Sequence, residues 1–247
     1  MAYELYYWDG IPGRGEFVRL ALEEAGAKYL DVVRTSHGMS AMMEYLRGKH
    51  GYLCTPFAPP FLKDGDIIVS HVANILHYLG PKLNLVPKDE KYRIFAHGLQ
   101  LTIADFVMEA HDTHHPISTD DYYEDQKDEA KARTEAFLKN RVPKFMGYFD
   151  RIIEGNPASG GYAIGGALSY VDLSLFHVSE GLAYAFPRAM KNFDSSFPRV
   201  ARLRDMVRDR PNLNAYLKSD RRLAFNQSGI FRHYPELDQD PGRTGIR

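Results

Sequence analysis

The sequence predicts an α/β domain followed by an all-α helical bundle, and three observations support this fold class. Strand and helix signals alternate over residues 1–80. Over residues 91–235, the periodic segments have helical spacing. Between them, residues 81–90 combine prolines with mixed charge, which is typical of an interdomain linker. Residues 236–247 are predicted to form a flexible tail.

Composition and charge argue against several classes of protein. The formal net charge is −1, so overall charge gives no reason to expect binding to nucleic acid or to an anionic membrane. No apolar run approaches the ~18 residues that favour a transmembrane helix. Residues 1–4 lack the basic region of a secretory signal. Cys54 is the single cysteine, which excludes an internal disulfide, and we expect a cytoplasmic protein.

Local patterns predict a β-α-β unit at the start of the chain. Tyr3 to Trp8 is an aromatic and apolar run that favours a strand, and Tyr29 to Val33 favours a second one. Arg14 to Ala25, between them, has helical spacing. A right-handed crossover makes the two strands parallel. Ser40 to Lys49 is predicted to form a short helix or a loop.

A hairpin and a helix complete the first domain. Phe61 to Lys63 and Ile67 to Ser70 flank Asp64-Gly65, a tight-turn dipeptide, which predicts two antiparallel strands. His71 to Leu79 has apolar residues at helical spacing, and Gly80-Pro81 is expected to end this helix.

Five helical segments are predicted in the second domain. Tyr92 to Ala110 is long and amphipathic, and a second segment from Asp121 to about Asp150 is expected to bend or break at Pro143. Ser169 to Asp172 has capping-box spacing before an apolar run. The remaining two helices are predicted from Phe197 to Arg208 and from Pro211.

The stretch from Tyr6 to Glu16, between the first strand and the first helix, favours the binding of an anion. Its three glycines and one proline suit a tight turn with close backbone approach. The free N–H groups and the dipole of a helix N-terminus attract negative charge. A tyrosine hydroxyl at the strand end adds a donor. Tyr6 and Tyr7 are alternatives for this role, because adjacent strand residues point to opposite faces.

Three motifs together make this architecture specific. They are Tyr6 to Glu16, Pro59 to Asp66, and Ser70 to Leu79. In their order, spacing and domain context, the chain resembles cytosolic glutathione transferases over about residues 3–220, in particular the tyrosine-type sigma-, mu- and pi-like classes. The resemblance implies a thioredoxin-like N-terminal domain that binds glutathione as co-substrate. It also implies a helical domain that completes an apolar pocket, and a homodimer.

The resemblance implies that Tyr7 and Arg14 are catalytic. Tyr7 matches the family's tyrosine and would donate a hydrogen bond to the glutathione sulfur. A hydrogen bond to the charged form lowers the pKa of a thiol, here by about one to three units. Arg14 matches the arginine at the start of the first helix and would orient the tyrosine or the ligand electrostatically.

The proline motif is expected to bind the cysteinyl part of glutathione, with two departures from the family pattern. Pro60 matches the family's cis-proline, and the residue before it, Pro59, would pair with the ligand through its backbone. Pro59 has no N–H, so only its carbonyl can pair. Ala58 stands where the family often has glutamine.

Ser70, His71 and Val72 cover the family's site for the γ-glutamyl part of glutathione. Val72 lacks the hydroxyl that is usual at its position, which leaves its backbone N–H and the helix dipole to bind the α-carboxylate. His71 is expected to donate one hydrogen bond in place of the family's glutamine. Ser70 is an alternative donor.

Asp105 and Glu109 lie four residues apart, on one face of the long helix after the linker. In the family, an acid near the position of Glu109 reaches across the dimer to the γ-glutamyl amine. Both acids are therefore assigned to glutathione binding, and the alternative is a solvated helix face.

The second substrate is expected to lie between the opening turn, the end of the long helix and the aromatic segment Phe225 to Tyr234. The assigned pocket residues are Trp8, Ile11, Pro12, His111 and His115.

A metal site and a reactive cysteine are not expected. His111 and His115 share a helical face, as two metal ligands would, but Pro116 follows at once and no partner ligand is evident. Cys54 lacks a C-x-x-C partner and does not begin a helix, so we expect it to be unreactive.

The predicted function is attack of an activated glutathione thiolate on a small apolar electrophile, a detoxifying transfer. Two alternatives stay open. Ala58, Pro59 and Val72 remove familiar contacts, which favours a binding protein without catalysis. A glutathione-dependent reductase, isomerase or peroxidase would keep the co-substrate and change the chemistry.

Overall fold

The structure is a computed structural model that describes residues 2–158 and 160–246. The N-terminal domain has the predicted β-α-β and β-β-α order. Its elements are β1 (Tyr3–Tyr6), α1 (Gly15–Glu24), β2 (Tyr29–Asp31), α2 (Gly38–Leu46), β3 (Phe61–Asp64), β4 (Ile67–Ser70) and α3 (Val72–Lys82), with 3-10 turns at Val32–Arg34 and Tyr52–Cys54.

The four strands form one mixed sheet in the order β2-β1-β3-β4. β1 pairs parallel with β2, as the predicted crossover requires, and antiparallel with β3. The hairpin between β3 and β4 turns at Gly65, whose φ of 62° suits a residue without a Cβ. The register places Tyr6 opposite Phe61 and Phe61 opposite Ser70.

The two faces of the sheet are covered by different helices. Leu5 and Leu62 pack with buried residues of α1 and α3, such as Val18. Tyr6 and Phe61 pack on the other face, with residues of α2. This alternation follows from the period of two along a strand.

The C-terminal domain is helical, as predicted. Its helices are α4 (Glu90–His111), α5 (Lys127–Ala136), α6 (Val142–Glu154), α7 (Tyr170–Ala185), α8 (Phe193–Ser196), α9 (Pro198–Arg208) and α10 (Pro211–Leu217). α7 is buried along almost its whole length and begins with the predicted capping box of Ser169 and Asp172. Among the described residues, no helix combines the length and the apolar character needed to cross a membrane.

The end predicted for α3 is wrong, because this helix continues through Gly80 and Pro81 to Lys82. Proline removes one N–H donor, but close to a helix end this costs a single hydrogen bond. The N–H of Leu83 still donates to the carbonyl of Leu79, which closes the last turn. The helix therefore takes the first two residues of the predicted linker.

The interruption expected at Pro143 is a π-helical turn, Phe137–Arg141, between α5 and α6. Pro143 has no N–H to donate to the carbonyl four residues back, so a regular α-helical pattern cannot continue. The N–H of Val142 instead donates to the carbonyl of Phe137, five residues back.

The C-terminal segment packs against the helical domain, whereas a flexible tail was predicted for residues 236–247. Leu237 and Ile246 are buried. The carboxylate of Asp238 is also buried, and it accepts the backbone N–H groups of Arg188 and Ala189 at 2.9 and 3.0 Å. Local composition gave no sign of these partners, which lie about 50 residues earlier in the chain.

Candidate active site

Three strands end or begin at the same edge of the sheet. Since Tyr6, Phe61 and Ser70 are in register, the residues that follow or precede them, Tyr7, Pro60 and His71, are brought together there. α1 and α3 both begin at this edge. Two helix N-termini next to one another favour an anionic ligand.

Tyr7 directly follows β1, and its ring packs tightly against the turn after it. Its hydroxyl oxygen accepts the backbone N–H of Arg14 at 2.8 Å. A Cβ on Gly13 would lie 2.2 Å from the hydroxyl oxygen, and a Cβ on Gly15 would lie 2.5 Å from the ring. The two glycines therefore leave the space that the tyrosine ring occupies.

The hydroxyl of Tyr7 keeps its proton at neutral pH. Burial raises its pKa, while the Arg14 N–H and the charges of Arg14 and Arg19 oppose that rise. The side chain is 4% exposed. The hydroxyl oxygen uses a lone pair to accept the Arg14 N–H, so its own hydrogen remains available to donate to a second partner.

Tyr6 faces away from this edge. Its hydroxyl donates to Glu4 at 2.8 Å, and its ring stacks on Phe61 with centroids 4.5 Å apart. Burial and the Glu4 carboxylate raise the pKa of Tyr6. Of the two alternatives, Tyr7 is therefore the one that lies beside the turn and the helix N-terminus.

The opening turn is fixed by residues that the sequence did not single out. The carbonyl of Gly10 accepts a hydrogen bond from Asn226 at 2.7 Å, and the carbonyl of Gly13 accepts one from His177 at 3.3 Å. His177 lies on α7 and is buried. Both partners come from the C-terminal domain, more than 160 residues away, where no local pattern connects them to the turn.

A buried ionic network links α1 to the C-terminal segment. Glu16 is fully buried and pairs with Arg222 at 2.9 Å and with Arg19 at 3.5 Å. It also accepts a hydrogen bond from Tyr216 at 2.9 Å. Arg19 in turn pairs with Asp31 at 2.7 Å. The guanidinium carbon of Arg19 lies 5.9 Å from the centroid of the Tyr7 ring, so the network brings a fixed positive charge close to the site.

The residues of the proline motif and those at the start of α3, which were assigned to glutathione binding, lie at the same edge. The Pro59-Pro60 peptide bond is cis. His71 precedes α3 with a φ of 71°, and its Nδ1 accepts the N–H of Ala73 at 3.3 Å. The Nε2 of a neutral His71 therefore carries the hydrogen and can donate outward. Ser70 is half-buried, whereas the Val72 side chain packs into the core and offers the ligand only its backbone.

The two acids on α4 differ in their surroundings. Glu109 is held within the chain by a bidentate pair with Arg141, with N–O distances of 2.6 to 3.0 Å, and lies 3.8 Å from Arg133. Asp105 is exposed. Glu109 is thus already paired with two arginines, which sequence spacing could not show because they lie on α5 and in the π-helical turn.

The segments assigned to the second substrate meet beside Arg14. Burial and the charge of Arg14 are the leading causes that lower the pKa of His111 to about 3. His114 Nε2 lies 2.7 Å from the carbonyl of Ile230, which joins the end of α4 to the C-terminal segment. The three other assigned residues differ in exposure, with Trp8 exposed, Ile11 half-buried and Pro12 buried.

Comparison with known proteins gives a consistent result. Residues 111–220 match the family model for the C-terminal domain of glutathione S-transferase. A glutathione S-transferase of Plasmodium falciparum is 26% identical over 218 residues, covering 86% of this chain and 93% of the relative.

Solved structures support the fold. The pi-class glutathione S-transferase of Onchocerca volvulus has a TM-score of 0.67 at 20% identity, covering 88% of this chain and 93% of its own. A monomeric glutathione S-transferase of the hookworm Necator americanus has a TM-score of 0.65 at 20% identity, covering 91% of this chain and 100% of its own. Residues 111–220 therefore match the C-terminal domain of glutathione S-transferase, and the chain has the two-domain fold of the solved glutathione S-transferases.

Proposed function

We propose that this protein is a glutathione transferase in which Tyr7 stabilises the glutathione thiolate. The observation that carries the proposal is the geometry of the Tyr7 hydroxyl, which accepts the Arg14 N–H and keeps its own proton for a donor bond. A donor bond to sulfur, together with the N-terminus of α1, favours the thiolate over the thiol. Each unit by which the thiol pKa falls corresponds to ~1.4 kcal/mol.

The peptide part of glutathione would lie along the sheet edge. The carbonyl of Pro59 accepts the cysteinyl N–H, while the backbone of Val72 and the N-terminus of α3 bind the α-carboxylate. The Nε2 of His71 donates a further hydrogen bond, and Ser70 lies beside it as a second donor. These contacts replace two that are missing here, because Pro59 has no N–H and Val72 has no hydroxyl.

The reaction is formation of a carbon–sulfur bond. The thiolate attacks an electrophilic carbon of a small apolar substrate, and the leaving group departs with the bonding electrons or, in an addition, the adjacent atom takes up a proton. The substrate would lie between Trp8, Ile11 and the end of α4. Arg14, at the start of α1, adds a positive charge near the sulfur.

Calorimetry with glutathione and a conjugation assay with an apolar aryl halide test this proposal. We expect saturable binding of one glutathione per chain and a conjugation rate well above the uncatalysed one. Binding without conjugation would favour a reductase, isomerase or peroxidase, and products from thiols, isomerisable substrates and peroxides would identify which. Absence of binding at millimolar glutathione would overturn the proposal and favour a binding protein for other ligands.

We also propose that the chain forms a homodimer through the exposed face of α4 and the loop before β3. Ile94, Leu101 and Met108 are exposed and lie seven residues apart, which places them on one stripe of α4. Phe57 is 102% exposed at the loop. Large exposed apolar groups of this kind typically mark an interface.

The dimer assigns a role to the second acid of α4. Asp105 is exposed and lies four residues after Leu101 and three before Met108, next to the apolar stripe. It is thus the acid of α4 that would face a second copy and reach the γ-glutamyl amine bound there, while Glu109 stays paired with Arg141.

A cytoplasmic location is part of the proposal. The free thiol of Cys54 and the need for reduced glutathione both suit a reducing compartment. Fractionation of cells that produce the protein checks this, and recovery in a secreted or membrane fraction would contradict it.

A further inference from the structure

Three histidines at the end of α4 come together in space. The ring centroids of His111, His114 and His115 lie 4.8 to 4.9 Å apart in each pair. One nitrogen of each ring lies within 4.8 Å of the corresponding nitrogen of the other two. The sequence indicated two of these rings on one helical face, and the turn after His111 adds His114 as the third.

Two of the rings are oriented by backbone carbonyls. His114 Nε2 lies 2.7 Å from the carbonyl of Ile230, and His115 Nδ1 lies 3.1 Å from the carbonyl of Asp121. A carbonyl oxygen only accepts, so these nitrogens carry the hydrogens and the opposite nitrogens carry lone pairs. In metal-binding histidines, the ring nitrogen that does not bind the metal usually donates its hydrogen to a group such as a backbone carbonyl, which fixes the ring.

Two of the three rings have a buried nitrogen without another partner in the part of the chain that the structure describes. Among the described residues, the buried Nδ1 atoms of His111 and His114 have no hydrogen-bond partner. A neutral ring with a lone pair that no other group uses is the form in which histidine binds a metal ion.

We propose that His111, His114 and His115 form a site for a divalent transition metal such as Zn²⁺, with three imidazole ligands and an open fourth position. Zinc–nitrogen bonds of about 2.0–2.1 Å in a tetrahedron place the nitrogens about 3.4 Å apart. The nitrogens, which lie within 4.8 Å of one another, therefore move closer by up to about 1.4 Å when the metal binds. His111 and His115 are only half-buried, so their side chains have room for this movement.

Two guanidinium groups shape the site. The charge of Arg232 acts on all three rings, and that of Arg14 acts on His111. Arg232 is fixed by a hydrogen bond from its Nε to the carbonyl of Gly229 at 2.9 Å. These positive charges weaken metal binding and favour an anion at the fourth position.

Calorimetric titration of the full chain with Zn²⁺, and visible absorption after titration with Co²⁺, test the site without glutathione. We expect one metal per chain and the intense cobalt bands of a tetrahedral complex. Loss of an outer partner typically costs 10–100-fold in affinity, so loss of a ligand in His111→Gln or His115→Gln should cost at least ~100-fold. Arg232→Gln should tighten binding by about threefold or more, because it removes a repelling charge.

His97→Gln is the matched control, because His97 and His77 form a pair of rings 4.6 Å apart elsewhere on α4 and α3. This variant should bind the metal as the parent does. Circular dichroism checks that each variant is folded. The titration of the parent shows whether the chain binds the metal even if one variant is unfolded. The proposal is overturned if the parent binds no stoichiometric metal, if both ligand variants bind normally, or if His97→Gln weakens binding equally.

Discussion

At the scale of single residues, the position of the Tyr7 hydroxyl is set by what its neighbours lack. Gly13 and Gly15 have no Cβ, and the space that a Cβ would take is filled by the tyrosine ring. The adjacent Tyr6 shows the opposite case, since its hydroxyl is already bound to Glu4 on the other face of the sheet. A difference of one residue along β1 thus separates a proposed catalytic tyrosine from a structural one.

Gly15→Ala tests this dependence. The added Cβ would lie 2.5 Å from the Tyr7 ring, so the ring must move. A shift of about 1 Å in a catalytic group can cost ~100-fold, and we expect kcat/KM for conjugation to fall at least ~10-fold. Gly242→Ala is the control, because a Cβ there meets open space. Unchanged kcat/KM in Gly15→Ala would contradict this account of Tyr7.

At the scale of elements, local patterns predicted the strands, the hairpin and the capping box of α7, because each depends on residues close together in the chain. The contacts that complete the site are different. His177 and Asn226 bind the opening turn although they lie more than 160 residues away in the chain. Arg141, in the π-helical turn, pairs with Glu109. Only the packing of helices decides these pairings, so sequence spacing could assign Glu109 but could not show that it is engaged.

The capping box gives a prediction for α7. The buried carboxylate of Asp172 accepts the N–H groups of Ala163 and Ser169 and the hydroxyl of Ser169, each at 2.7 Å. Asp172→Ala leaves these three buried donors unpaired, at about 1–3 kcal/mol each, so we expect the unfolding free energy to fall by at least about 3 kcal/mol. Urea denaturation measures this. Asp128→Ala, at an exposed position, should change stability by less than about 0.5 kcal/mol.

At the scale of the whole molecule, the two domains are joined by buried charge as well as by apolar packing. Glu16 of α1 meets Arg222 and Tyr216 from the end of the chain. Because these groups adjoin Arg19 and the Tyr7 ring, the arrangement connects the fold of the C-terminal segment to the electrostatics of the site.

Arg222→Met should destabilise the protein in a pH-dependent way. Burial raises the pKa of Glu16, and Arg222 is the first of the charges that oppose this rise, so its loss raises the pKa further. Glu16 of the folded parent therefore releases its proton at a lower pH than Glu16 of the folded variant, which retains its proton as pH rises further. The variant therefore loses stability relative to the parent as pH rises, by about 3 kcal/mol at pH 7.5 and little at pH 4.5.

Denaturation at both pH values checks this result. Arg221→Met is the matched control, since the Arg221 side chain is exposed where it pairs with Glu23, and its loss should cost no more than about 1 kcal/mol at either pH. Equal losses for Arg222→Met at both pH values would contradict the assigned role of Glu16.

The proposed dimer predicts that Phe57→Ser produces monomers. Burial of one phenylalanine contributes about 1.5–3 kcal/mol. Two-fold symmetry counts the loss twice, so the dissociation constant of the dimer should rise at least ~100-fold. Sedimentation measures the association state. Tyr122→Ser, at another exposed aromatic residue, should leave the dimer intact. A parent chain that sediments as a monomer would overturn the dimer.

The central claim is that Tyr7 stabilises the glutathione thiolate, and ultraviolet titration of bound glutathione tests it most directly. In the parent, the thiolate should form well below the pKa of about 8.5 that is usual for a cysteine thiol. In Tyr7→Phe, the thiol pKa should rise by about one to three units, while Tyr6→Phe should titrate like the parent. Identical titrations of the parent and Tyr7→Phe, with glutathione bound in both, would contradict the account.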